Sequence, residues 1–171
     1  MSLIAWIILA AVVAERLAEL GWSARNERRL RALGGVEHGR GHYLLFPLLH
    51  GAWLLTLAIH IALEARIDVI WPLIGVYGLL QLGRLWVLWA LGVRWTTRII
   101  VLPGQGLVRR GPYRLMRHPN YLIVALELAI LPLALEAWPI AVVASAFNLA
   151  LLAYRIRIED RAHLAAQGST T

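Results

Sequence analysis

The stretch from Asn120 to Ile156, NYLIVALELAILPLALEAWPIAVVASAFNLALLAYRI, consists of two apolar runs broken at Glu136-Ala137-Trp138-Pro139. Its length and apolarity predict two helices, 120–136 and 138–156, folded into a tight hairpin with Pro132 bending the first. Three further apolar runs precede it, at 2–20, 43–63 and 69–91. Each approaches the roughly 20 residues that cross a hydrocarbon layer about 30 Å thick. The expected fold is therefore an all-α polytopic integral membrane protein with about five transmembrane helices, the last two forming a helical hairpin. Composition agrees. The 171 residues are 60% hydrophobic and 16% charged, and the mean hydropathy is +0.65, which leaves too little polar surface for a water-soluble domain. The first run lacks a basic leading region and a small-residue cleavage site and ends in Glu15-Arg16-Leu17-Ala18-Glu19, so it reads as a retained helix. The chain is expected to form one domain over 1–171. Helices one to three and a loop at 21–42 occupy 1–91, and a loop, the hairpin and a tail occupy 92–171.

Charge sets the expected orientation. All 17 basic residues are arginine, a bias that points to a GC-rich bacterial genome, and the net charge is +7. The arginines flank apolar runs instead of lining one soluble face, which argues against nucleic-acid binding. Arg25, Arg28, Arg29, Arg31 and Arg40 follow the first run; Arg94, Arg98, Arg109, Arg110, Arg114 and Arg117 follow the third; Arg155, Arg157 and Arg161 lie in the tail. Between runs two and three there is only Arg66, beside Glu64 and Asp68. The positive-inside rule then puts both long loops and the carboxyl terminus in the cytoplasm and the amino terminus outside, in a bacterial cytoplasmic membrane.

The chemistry concentrates just before and just after the hairpin. Before it stands Gly111-Pro112-Tyr113-Arg114-Leu115-Met116-Arg117-His118-Pro119-Asn120-Tyr121; after it stands Arg155-Ile156-Arg157-Ile158-Glu159-Asp160. Both fall at one membrane face, where rings, acids and bases are costly unless they have partners. A zwitterionic, nucleotide-like ligand would supply them. Taken singly, a His-Pro at a helix start is often only a cap, and a charged helix end is often only an anchor. Their order around a hairpin is what points to function.

The pattern Gly-Pro-Tyr, Arg-His-Pro-x-Tyr opening a helix, an apolar hairpin, then Arg-x-x-x-Glu-Asp resembles the isoprenylcysteine carboxyl methyltransferase family and related phospholipid methyltransferases. The resemblance runs roughly from Thr97 to Leu164. It implies an S-adenosylmethionine-dependent methyltransferase that takes its cofactor from the cytosol and its lipid acceptor from the bilayer. By position, cofactor contacts would come from Gln105, Gly106, Leu107, Val108, Tyr113, His118, Pro119, Asn120, Tyr121 and Glu159, while Arg155 would face the acceptor as the catalytic residue. Physical chemistry is compatible with that carry-over. Pro119 suits the first turn of a helix, whose free N–H groups and positive end favour a carboxylate. Glu159 can accept hydrogen bonds from an amine or ribose, and Tyr113 or Tyr121 can face adenine or the sulfonium. The sequence after His-Pro, Glu127, and the glycine-rich first loop look more like a small bacterial branch tied to O-methylation of alkylpyrones and phenolic lipids made by type III polyketide synthases. Such a branch implies a functional link to one of those synthases. No Phe-Gly-x-x-Tyr tail follows the acidic pair.

Polar residues inside the runs carry separate expectations. Glu127 and Asn148 lie at matching depths on either side of the hairpin turn and can pair, or can contact the acceptor. Arg16 and Arg84 need acidic partners, for which Glu15 or Glu19 are at hand. His50 is either a satisfied core imidazole or a base near the acceptor. His38 and His42 are four apart, but Gly39 and Gly41 break helix there, no carboxylate or cysteine completes a set, and the chain has no cysteine, so no metal is expected. The run 34–43 reads as a loop folded over the site. Three reactions stay open: O-methylation of an acidic enol or phenol, methylation of a prenylcysteine carboxylate, and methylation of a phospholipid amine. A non-enzymatic membrane assembly or transport subunit, in which the arginines only anchor topology, is the alternative from another class.

Overall fold

The computed structural model describes residues 3–39, 41, 43–104 and 106–168, with side chains as far as Ala162. Five helices carry the fold: α1 (Leu3–Ala32), α2 (Leu45–Leu63), α3 (Trp71–Leu91), α4 (Pro119–Ala134) and α5 (Trp138–Gly168). Three of them, α2, α3 and α5, are long and apolar enough to cross a membrane, and α4 is a shorter apolar helix. The chain is an all-α polytopic membrane protein, as the hydropathy predicts.

Two helices outrun their expected limits. α1 continues to Ala32, so Arg25, Arg28, Arg29 and Arg31, expected in a loop, lie on a helical extension. Its residues are mostly good helix formers, and Gly21 alone does not stop them. α5 likewise runs past 156 to Gly168. The expected loop at 21–42 shrinks to a connection that holds β1 (Val36–His38), paired antiparallel with β2 (Ile99–Val101) in register Val36 to Val101. This ribbon is the one β element among the described residues. Gly35 permits it, because a Cβ there would stand 2.7 Å from the Leu30 carbonyl oxygen and 2.8 Å from Ile100 Cγ2.

The core joins α1, α2, α4 and α5 through Leu9, Leu57, Ile61, Leu128, Leu131 and Ala144. Burial of such side chains contributes about 1.5–3 kcal/mol each relative to exposure in water, and in lipid their tight packing takes over that role. The hairpin turn forms as expected, with α4 ending just after Pro132 and Glu136 adopting a left-handed φ of 59°. Ile70 N–H donates to the Ala134 carbonyl at 3.0 Å and Asp68 N–H to Glu136 Oε2 at 3.0 Å. The Arg66 connection and the hairpin turn therefore share one end of the bundle, and the ribbon and the motif-bearing loops occupy the other.

The expected Glu127–Asn148 pair does not form. Glu127 accepts hydrogen bonds from Arg84 Nε at 3.0 Å, from Arg84 Nη2, from Arg16 Nη2 at 3.1 Å and from Gln81 Nε2 at 2.9 Å. Arg84 and Arg16 also reach Glu19, at 3.2 and 2.8 Å. Two guanidiniums satisfy a buried carboxylate better than a neutral amide can, since attraction between unlike charges is strong where water is absent. Asn148 is 0% exposed, and neither its Oδ1 nor its Nδ2 has a hydrogen-bond partner among the described residues.

Candidate active site

The 3-10 turn Gly111–Arg114 puts the Gly-Pro-Tyr motif against α3. Gly111 has φ 57°, and a Cβ there would stand 2.9 Å from Ala90 Cβ, so both conformation and space require glycine. Tyr113 thereby packs on the cluster of Val87, Leu88, Trp95 and Ile123. Burial pushes its phenol well above the usual range, and the Glu159 charge adds to that. Next in the chain, α4 begins at Pro119 with His118 as its N-cap, as the sequence predicts.

These elements enclose a cleft of about 800 Å³ whose wall includes Gly106, Leu107, Val108, Tyr113, His118, Asn120, Tyr121, Arg155 and Glu159. Residues more than 50 positions apart are thus brought together as expected. Pro119 is buried beneath the wall as the first residue of α4, while Gln105 and His42 lie outside the described residues. Glu127, Asn148 and His50 do not line the cleft. His50 shares Nδ1 with the Phe46 carbonyl at 2.9 Å and stands edge-on to Trp53, the satisfied-imidazole alternative. Among the described residues no group of three or more metal-ligating side chains exists.

The cleft floor is a hydrogen-bonded chain. Arg155 Nε donates to the Tyr121 hydroxyl at 2.8 Å, and that hydroxyl donates to Glu159. Arg155 Nη2 donates to the Thr97 carbonyl at 2.7 Å, and its guanidinium carbon lies 4.9 Å from the Phe46 ring centre. The His118 ring stacks on Tyr121 at 5.3 Å and 11°. Asp160 draws in Arg117 at 3.2 Å and stands 3.6 Å from His118 Nε2. At that distance His118 Nε2 is without a hydrogen bond among the described residues, as is Asn120 Oδ1, although both atoms are buried. A buried donor or acceptor left unpaired costs about 1–3 kcal/mol.

Sequence reasoning missed the far wall. Trp95, Thr96, Arg98, Ile99 and Val101 line it, carried on β2, which pairs with β1, and on the segment that leads into it. Glu37 on β1 takes hydrogen bonds from Arg31 and from Arg98 Nη1 at 2.6 Å. Burial alone would raise the Glu37 carboxyl, but those two bonds outweigh it and hold the group below the usual carboxylate range. Arg98 also lies 3.8 Å over the Tyr43 ring. Glu37 and Tyr43, within the run 34–43, thus brace the cleft wall through Arg98. The one sequence signal for this is the β-branched run Ile99-Ile100-Val101, too short to separate strand from loop.

Comparison with known proteins identifies the family. The isoprenylcysteine carboxyl methyltransferase (ICMT) family profile matches residues 73–165. The chain belongs to this family. It is a membrane methyltransferase, and the matched region contains all but the first two residues of α3, then β2, the cleft loops, the hairpin and the Arg155–Glu159 segment. Among curated proteins, the uncharacterized protein YpbQ of Bacillus subtilis is 36% identical over 160 residues, covering 92% of this chain and 95% of its own length. An uncharacterized protein of Haemophilus influenzae is 29% identical over 161 residues, covering 91% of this chain and 92% of its own. No solved structure matches the chain significantly.

Proposed function

We propose that this ICMT-family enzyme transfers the methyl group of S-adenosylmethionine to an oxygen of a hydrophobic acceptor, preferably an acidic enol or phenol such as that of an alkylpyrone or phenolic lipid. The observation that carries this reading is the juxtaposition of unpaired polar atoms on His118 and Asn120 with Glu159 and Arg155 in one cleft. The residues present fit the cofactor. The start of α4 with His118 and Asn120 would hold its amino-acid end, Glu159 its ammonium or ribose hydroxyls, and Tyr113 and Trp95 its adenine or sulfonium. The cofactor would supply an electrophilic methyl group, the acceptor oxygen forming the new bond as the carbon–sulfur bonding pair returns to sulfur.

The protein's own contribution is positioning and charge. Arg155, 8% exposed and gripped at Nε and Nη2, would hold the acceptor oxyanion beside the methyl group. Six arginines line the cleft against the acidic pair Glu159 and Asp160, which favours an anionic oxygen over a phospholipid amine. An acceptor already ionised near neutral pH needs no strong general base. Phe46 on α2, under the Arg155 guanidinium, gives the acceptor's alkyl chain an apolar neighbour on the membrane side. The arginine distribution favours a cytoplasmic cleft with the amino terminus outside. A genomic neighbour encoding a type III polyketide synthase would supply such acceptors. The test is methyl transfer from radiolabelled S-adenosylmethionine to a long-chain alkylpyrone or alkylresorcinol by purified protein. Transfer is expected with either acceptor, and absence of transfer to both removes the reading.

A further inference from the structure

The inner end of α1 lies outside the region that defines the family, yet it is tied to the cleft by buried polar side chains. Ser23 and Asn26 are 1% and 2% exposed and lie on one face of α1 with Leu30. Asn26 Nδ2 donates to the Gly92 carbonyl at 3.1 Å and to the Trp95 carbonyl at 2.8 Å. Ser23 Oγ accepts from the Thr97 backbone N–H at 2.9 Å and shares a second hydrogen bond with Thr97 Oγ1 at 2.9 Å. Two side chains thus fix the backbone from Gly92 to Thr97. The Thr97 carbonyl then takes Arg155 Nη2 at 2.7 Å.

A guanidinium is a rigid planar fork, and two held nitrogens determine its plane. Tyr121 holds Nε and Thr97 holds Nη2. Nη1 has no hydrogen bond among the described residues, which leaves its donors for a ligand. A shift of the Thr97 carbonyl would rotate that free edge, and misplacement by an ångström is enough to cost a large factor in rate.

We infer that Ser23 and Asn26 are positioning residues that aim Arg155 at the methyl acceptor through the Thr97 carbonyl. This rests on the acceptor role of Arg155 proposed above. A bland alternative makes the same bonds mere glue between α1 and the 92–97 segment. Glue would change stability, whereas an aiming device acts on acceptor turnover and acts through Arg155.

Full-length protein carrying Ser23→Ala, Arg155→Lys or both decides this, assayed with a long-chain alkylresorcinol and a prenylcysteine at saturating S-adenosylmethionine, with cofactor affinity measured in parallel by titration calorimetry. Ser23→Ala is expected to lower kcat about tenfold while cofactor Kd stays within about twofold. The double variant is expected to be no slower than Arg155→Lys alone, because both changes disable one device. Thr97→Ser, which keeps hydroxyl and carbonyl, is expected to retain turnover. Asn26→Ala, which removes the bonds to the Gly92 and Trp95 carbonyls, can replace Ser23→Ala in the cycle if that variant gives too little folded protein. Wild-type turnover in Ser23→Ala, or rate losses that multiply in the double variant, overturn the inference and leave the proposed reaction standing. Wild-type turnover in Arg155→Lys overturns both, as does cofactor binding by wild-type protein that methylates neither acceptor.

Discussion

Tyr121 and Arg155, 34 positions apart, meet at the Tyr121 hydroxyl, which accepts from Arg155 Nε at 2.8 Å and donates to Glu159. The hydroxyl links the side chain assigned to the acceptor with the one assigned to the cofactor. A contact on both sides explains why Arg-x-x-x-Glu on α5 is matched by a tyrosine in the first turn of α4: residues four apart share a helix face, and one phenol reaches both.

Tyr121→Phe removes that link without changing the ring. It strands Arg155 Nε and frees Glu159, a loss of about 1–3 kcal/mol for each buried polar partner left unmade. Methyl transfer is expected to fall about tenfold or more, with the protein still folded by its thermal transition in detergent. Unaltered transfer would mean that the hydroxyl has no part in the reaction.

Most of the helices were legible because apolar runs bounded by arginine or by Trp-Pro leave few alternatives. The cleft's near wall was legible from the Gly-Pro-Tyr and His-Pro motifs, whose geometry is local. The rest depends on long-range partners. Glu127 was matched with Asn148 by depth, but depth says nothing about rotation around a helix axis, and Arg84 on α3 reaches the carboxylate first. The 21–32 extension of α1 reads as loop in the sequence because polar arginines interrupt an apolar pattern, although their helix propensity is good. The ribbon was invisible: three residues per strand are too few to show a period.

The buried cluster around Glu127 is expected to hold the bundle together. Glu127→Ala leaves Arg16 and Arg84 in a dry interior without their main counter-charge, a loss of about 3–5 kcal/mol that thermal unfolding in detergent can read. Asn148→Leu is the contrasting case. With no hydrogen bond to lose, it is expected to be neutral or stabilising, and a loss of transfer at unchanged stability would assign Asn148 to the acceptor.

Acid is expected to loosen the ribbon. Glu37 has a carboxyl held below its ordinary value near 4.5 by Arg31 and Arg98 against the opposing effect of burial. A depressed carboxyl contributes stability above the unfolded value and loses it as pH falls through the folded value. Glu37→Gln is therefore expected to destabilise the protein near neutrality, by about 1–3 kcal/mol for charged hydrogen bonds, and to differ little from wild type well below pH 4.5. Parallel stability curves over the whole range would contradict this.

The arginine distribution predicts an orientation that a reporter can check. A reporter fused after Thr171 is expected to read cytoplasmic and one inserted near Arg66 external, because the Arg66 connection lies at the end of the bundle opposite the cleft. A cytoplasmic signal at Arg66 would place the cleft on the wrong face for the proposed cofactor.

Titration of purified protein with S-adenosylmethionine tests the central claim most directly. Saturable binding is expected in wild-type protein, weakened by about 1–3 kcal/mol, roughly fivefold to more than a hundredfold in Kd, in His118→Ala and in Glu159→Ala. Absence of saturable binding to folded wild-type protein, or equal affinity in wild type and both variants, would contradict the assignment of this cleft to the cofactor.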